Sequence, residues 1–188
     1  MRASLALVLA ALISPTAALA QDGDAADTAQ ANDGATQASA TVEEGQPRYL
    51  AAMQAELSSM RLRDASCEAT DEQRAHCAFT AHGVTTNRDF EAHMVYSDRT
   101  DTIYLYVDHY LVATPDADGT PAVLRRLMEL NWSLLLGKFE WDATDGEVRL
   151  AMILNTDSNF DRRAFRSAVR GIGQLADRYY NELERLTH

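Results

Sequence analysis

Residues 120–154, TPAVLRRLMELNWSLLLGKFEWDATDGEVRLAMIL, carry the local instructions that decide the fold: a helix that runs into a β-hairpin. Thr120 is a capping residue, and Pro121 suits the first helical position, where its missing N–H would have had no partner. Val123, Leu127, Leu130 and Leu134 recur at spacings of four, three and four, with Leu124, Asn131 and Leu135 beside them, so the spacing predicts one wide apolar stripe. Gly137 is the expected left-handed stop. From Phe139 to Leu154 the chain alternates around Asp145-Gly146, a dipeptide suited to a two-residue type I′ turn. That turn would pair Ala143 with Val148, Trp141 with Leu150 and Phe139 with Met152 on one apolar side, and set Asp142 opposite Arg149 on the other. Burial of the large side chains outweighs the few tenths of a kcal/mol from the charge pair and fixes which side faces the core.

Upstream, Pro47 opens a helical stretch in which Tyr49, Leu50, Met53, Leu57 and Met60 form one face. Four short alternating runs follow: Met60 to Cys67; Ala75, Cys77, Phe79 and Ala81; Phe90, Ala92, Met94 and Tyr96; and Asp101 to Val112. Turn-rich segments such as Ser97-Asp98-Arg99 divide them, which predicts an antiparallel meander. At the end, Ser158 to Asp161 fits a capping box, and Phe165, Ala168, Ile172, Leu175, Tyr179, Leu183 and Leu186 trace one stripe of a long helix. Gly171 and Gly173 inside it imply a bend or a close approach to a strand. The expected fold class is therefore α+β: an antiparallel sheet with helices packed mainly on one face, in the order α-β-β-β-β-α-β-β-α.

The amino terminus has the layout of a cleavable signal peptide over residues 1–20: Arg2, the apolar run Leu5 to Ile13, and Ala18-Leu19-Ala20 before Gln21. Cleavage after Ala20 would place the protein in the periplasm or outside the cell, with no membrane insertion, because the apolar run is too short to span. Residues 21–46 contain the acids Asp22, Asp24, Asp27, Asp33, Glu43 and Glu44 without Lys, Arg or an aromatic, a composition that predicts a disordered acidic linker. Residues 47–188 then suffice for a single domain. The net charge of −11 becomes −12 once Arg2 is lost, which disfavours nucleic acid and anionic lipid as partners.

Cys67 and Cys77 are the only cysteines, ten positions apart, and in an exported chain they are expected to form a disulfide. His76 beside Cys77 suggests zinc, but no second spaced pair of ligands accompanies it, so neither a metal nor a cofactor is expected. No catalytic spacing is found. His82, His93 and His109 fall on different predicted strands without a nucleophile motif, so the leading expectation is a non-catalytic module that binds protein or peptide. The alternative is a periplasmic hydrolase with a spatially assembled site. In the strand from Thr102 to Val112, Ile103, Leu105, Val107 and Leu111 lie on one side and Tyr104, Tyr106 and Tyr110 with Asp108 on the other. If the first set meets the helices, the three tyrosines line an open face suited to a partner chain or a second copy.

The order of elements, together with Leu130-Asn131-Trp132, Leu136-Gly137-Lys138-Phe139, Asp145-Gly146 and the run Ala176 to Leu183 (ADRYYNEL), resembles the YbjN-domain family. The resemblance spans about Pro47 to Leu186 and is specific from Leu124 onward. That family is similar in fold to type III secretion chaperones, α+β proteins that commonly dimerise and hold extended client segments. It is associated with sensory transduction regulation, a label that implies no chemistry. The resemblance thus implies a scaffold for binding proteins and a homodimer. The signal peptide and expected disulfide set this chain apart from a cytoplasmic secretion chaperone.

Overall fold

Apolar alternation in the strands Arg74–His82, Asp89–Ser97, Thr102–Val112 and Glu147–Asn155 and an apolar stripe on each helix are both buried when the helices lie against the apolar side of a sheet. The computed structural model describes residues 45–157 and 159–188. The expected signal peptide and all of the expected linker except Gly45 and Gln46 lie outside these residues, as does Ser158. The elements are α1 (Leu50–Met60), β1 (Arg63–Asp71), β2 (Arg74–His82), β3 (Asp89–Ser97), β4 (Thr102–Val112), α2 (Thr120–Ser133), β5 (Lys138–Trp141), β6 (Glu147–Asn155) and α3 (Arg162–Glu184). All neighbouring strands are antiparallel, in the order β1-β2-β3-β4-β6-β5. This is the expected α+β architecture and element order.

Helix α3 crosses β2, β3, β4 and β6, while α1 lies against β1 and α3, and α2 sits beside β5 at the edge of the sheet. The helix side of the sheet buries Ala75, Cys77 and Phe79 of β2, Phe90, Ala92, Met94 and Tyr96 of β3, Ile103, Leu105 and Val107 of β4, and Val148, Leu150 and Met152 of β6. Each large side chain among them contributes about 1.5–3 kcal/mol of transfer free energy. A buried acid ties the first and last helices together: Glu56 on α1 receives Arg166 and Arg162 of α3. Four arginines, Arg162, Arg163, Arg166 and Arg170, lie in the first turns of α3, and two of them, Arg162 and Arg166, pair with Glu56.

Several local expectations are corrected. Helix α2 ends at Ser133, before Gly137, because Asn131 takes hold of the next strand: its Nδ2 donates to Phe139 O (3.0 Å) and its Oδ1 accepts from Phe139 N (2.7 Å). Gly137 keeps a positive φ of 85°, but as the entry to β5. Leu135, expected in the stripe, is 99% exposed. Thr120 does not cap α2; its hydroxyl donates to Thr114 O (2.6 Å) and pins the preceding loop.

The hairpin register is displaced by two residues. Trp141 pairs with Val148, Glu140 with Arg149 and Phe139 with Leu150. Asp142 closes a longer loop, donating its N–H to Glu147 O (2.8 Å), accepting Gly146 N–H at its carbonyl (2.8 Å) and accepting Thr144 N–H at its carboxylate (2.7 Å). A two-residue shift preserves side-chain parity, so the apolar face stays inward although its partners change.

In α3 the N-cap is Asp161, which accepts from Arg163 N and Ala164 N, so the expected cap at Ser158 is replaced. The buried stripe is Phe165, Val169, Ile172, Ala176, Tyr180 and Leu183, rotated from the expected set so that Ala168, Leu175 and Tyr179 flank it. Gly173 explains the phase: a Cβ there would stand 3.0 Å from Ala81 Cβ, so the helix backbone rides directly on β2.

Candidate protein-binding face

The side of the sheet turned away from the helices is built from the alternate residues of the same strands. Two rows cross it in register. One runs Ala78–His93–Tyr106–Ala151–Lys138 and the other His76–Val95–Tyr104–Ile153. Side chains facing each other across antiparallel strands stand close enough to pack. His93 and Tyr106 rings are 5.4 Å apart, Tyr106 and Tyr104 5.1 Å, and Arg149 lies over Tyr106 at 5.4 Å. Tyr104 and Tyr106 are half-buried by their neighbours, and Ile153 is 57% exposed at the end of its row.

Polar groups edge this face. The Tyr104 hydroxyl donates to the Glu140 carboxylate, which also pairs with Lys138 at 2.9 Å. Burial, then the Glu140 contact, pushes the Tyr104 phenol up. Burial also raises Tyr106. For Glu140, burial acts upward but is outweighed by Tyr104 and Lys138, which hold it below the usual carboxylate range.

Tyr110, expected on this face, belongs to the core. The pairing of β4 with β6 slips between Val107 and Leu111, and His109 adopts a positive φ of 45°. Between those pairs β4 places three residues, 108–110, against Arg149 alone, so the bulge absorbs two extra residues: Tyr110 inside it turns to the core while Leu111 beyond it stays buried opposite Val148. Tyr110 is 2% exposed, packs edge-on to Tyr180 (5.5 Å) and beside Phe139 (5.7 Å), and donates its hydroxyl to Ala176 O (2.8 Å).

The bulge is braced by charges. Arg149 Nε lies 2.9 Å from both Asp108 Oδ1 and Glu147 Oε1, and Glu147 Oε1 also accepts His109 N–H (3.0 Å). Asp108, His109 and Glu147 bring potential ligand atoms within 4.8 Å of one another. Arg149 bridges both carboxylates, offsets one of their two charges and ties the bulge to β6 as an ion-pair network.

The remaining candidates are dispersed. His82 Nδ1 is 2.8 Å from Asp89, which also receives Arg63. His93 is on the open face and His109 in the bulge. Among the described residues, no Ser or Thr hydroxyl is hydrogen-bonded to any of these histidines. Cys67 and Cys77 are directly paired across β1 and β2 and form a disulfide, with Cα atoms 3.9 Å apart. It fastens β1, an edge strand exposed on nearly all of its length. Asp177, inside the ADRYYNEL run, holds the β2–β3 loop by accepting Thr85 N (2.9 Å) and Thr86 N (2.8 Å). Burial would raise its carboxyl, but these donors hold it down to about 2. Sequence reasoning weighed His76 only beside Cys77 and did not place it, Val95 or Ile153 on this face; strand parity was the signal for all three.

A second exposed surface lies on α2 and the turn after it. Trp132 is 93% exposed, and Met128, Leu135 and Leu136 are exposed with it. Among the described residues, no helix is long and apolar enough to cross a membrane.

Helices on one side of an antiparallel sheet and an aromatic surface on the other define an α+β, secretion-chaperone-like scaffold. Residues 72–185 match the family profile of YbjN, described as "Putative bacterial sensory transduction regulator", and the chain belongs to that family. In fold it is similar to a chain of the solved structure titled "Crystal Structure of the ExsC-ExsE Complex", with 15% identity, a TM-score of 0.50, and coverage of 71% of this chain and 95% of that one. No curated protein matches the chain.

Proposed function

We propose that the protein is a non-catalytic, exported binding or regulatory module of the YbjN type that holds an extended segment of a partner protein on the uncovered face of its sheet. One observation carries this reading: the face opposite the helices presents Tyr104, Tyr106, His93, Val95 and Ile153 as a continuous surface, where a solvated sheet face normally alternates to polar residues. The similarity to a chain from the ExsC-ExsE complex supports a protein as the occupant. The signal-peptide layout and the disulfide support a periplasmic or secreted setting for a single domain over residues 47–188 preceded by an acidic tether.

The test is crosslinking in cells followed by mass spectrometry, with the wild type beside a Tyr104→Ser/Tyr106→Ser variant. The reading expects a protein partner from the cell envelope that the variant loses while remaining folded. Recovery of the same partner by both forms would refute the face, and recovery of none by either would refute the function.

A second copy is proposed to cover the other apolar surface. Met128, Trp132, Leu135 and Leu136 together offer on the order of 600 Å², most of the ~800 Å² that each partner contributes to a standard interface. Light scattering should therefore report a dimer, and Trp132→Ser should shift it to monomer. A monomeric wild type at micromolar concentration would refute this.

A further inference from the structure

His76 and His93 lie seventeen positions apart on different strands, and nothing in their spacing along the chain marks them as a pair. The sheet makes them diagonal neighbours on the uncovered face, since Ala78 stands opposite His93 and His76 opposite Val95. Their nitrogens converge: His93 Nδ1 lies 3.3 Å from His76 Nε2, with ring centroids 5.3 Å apart. That separation is long for a hydrogen bond between neutral imidazoles. It matches the spacing that a tetrahedral ion with Zn–N bonds of about 2.0–2.1 Å imposes on two ligand nitrogens, about 3.3–3.4 Å.

The surroundings have the organisation of a ligand set. His93 is held between the rings of His76 and Tyr106, and its side chain is only 16% exposed. Its other nitrogen, Nε2, is 3.4 Å from Glu91 Oε1, where a small side-chain adjustment would supply the carboxylate backing that orients a metal-bound imidazole. Glu68 on β1 pairs directly with His76, so its side chain leaves the strand on the same face and a rotamer change is what would bring its carboxylate to the two nitrogens.

We propose that His76 and His93 chelate a borderline divalent cation of the Zn²⁺ class on the uncovered face of the sheet, with Glu68 as a further ligand and Glu91 orienting His93. Imidazole nitrogens with one carboxylate suit Zn²⁺ and its first-row neighbours better than Mg²⁺ or Ca²⁺. This site does not depend on the proposed partner and is measured without it.

Calorimetric titration of tag-free purified protein with ZnCl₂ in a non-chelating buffer at neutral pH should report one equivalent bound. His76→Ala and His93→Ala should each weaken binding at least tenfold, Glu91→Gln about tenfold, and His109→Ala not at all. A wild type that binds no Zn²⁺, or equal binding by the His76 and His93 variants, overturns the site. Because His93 is packed, the wild type is also followed by imidazole ¹⁵N resonances on adding Zn²⁺. Shifts at His76 and His93 support the chelate, and shifts confined to His82 or His109 overturn it.

Discussion

The bulge in β4 makes a quantitative prediction about three tyrosines that look equivalent in sequence. Replacing Tyr110 with Ser empties a site enclosed by Phe90, Phe139 and Tyr180 and abandons the acceptor at Ala176 O. Truncating a buried aromatic costs about 3–5 kcal/mol through lost transfer energy and the cavity left behind. The lost hydrogen bond to Ala176 O, a helix carbonyl that keeps its own intrahelical donor, adds about 1 kcal/mol. A total near 4–6 kcal/mol is a large share of the ~5–15 kcal/mol that stabilises an ordinary domain. Tyr110→Phe keeps the ring and should cost only the hydrogen-bond part, about 1 kcal/mol. By contrast, Tyr104→Ser/Tyr106→Ser removes two half-exposed rings, one mutual stack and a surface hydrogen bond to Glu140, for about 1–2 kcal/mol together. Urea denaturation followed by tryptophan fluorescence and far-UV circular dichroism measures all three. The expected order of midpoints is wild type, then Tyr110→Phe and the double variant close together, then Tyr110→Ser far below or unfolded without denaturant. A Tyr110→Ser protein as stable as the double variant would refute the bulge and return Tyr110 to the open face.

Asp177 gives a pH dependence with a defined sign. Its folded pKa of about 2 lies below the ordinary ~3.9, so its contribution is fully present above that ordinary value and is lost as pH falls from about 4 to 2. Discounted for its partial solvent contact, this is worth about 1 kcal/mol. The urea midpoints of wild type and Asp177→Ala should therefore converge between pH 5 and pH 2, and a gap that stays constant would count against the Thr85 and Thr86 hydrogen bonds. For the disulfide, alkylation of denatured, non-reduced protein should add no label, and reduction should lower stability by about 2–3 kcal/mol as judged by thermal melting. Two labelled thiols before reduction would sink the pairing.

Much of the fold was legible because alternation and helical periodicity act locally. The order of nine elements and the one-sided apolar strands followed from patterns within single elements, and the disulfide from there being only two cysteines to pair. What was not legible depends on contacts between elements. The end of α2 is set by Asn131 reaching Phe139, the hairpin register by Asp142 closing a longer loop, and the phase of α3 by Gly173 riding on Ala81. The candidate face shows the same division. Tyr104 and Tyr106 were placed on a common strand side by parity alone, whereas Tyr110 failed because a bulge has no fixed sequence signature, and His76 and His93 meet only through the pairing of β2 with β3.

The strand order has a kinetic consequence. The first four strands are successive hairpins, each pairing with the one just made, so they can form from contacts between near neighbours in the chain. The pairing of β4 with β6 instead spans all of α2 and β5 and carries the largest loop-closure entropy in the sheet. Folding should be limited by that closure, with the amino-terminal meander waiting as a template. Cys67 and Cys77 both lie within the earliest hairpin and have no competing thiol, so oxidation fastens the template before the slow step and cannot trap the chain in a wrong topology.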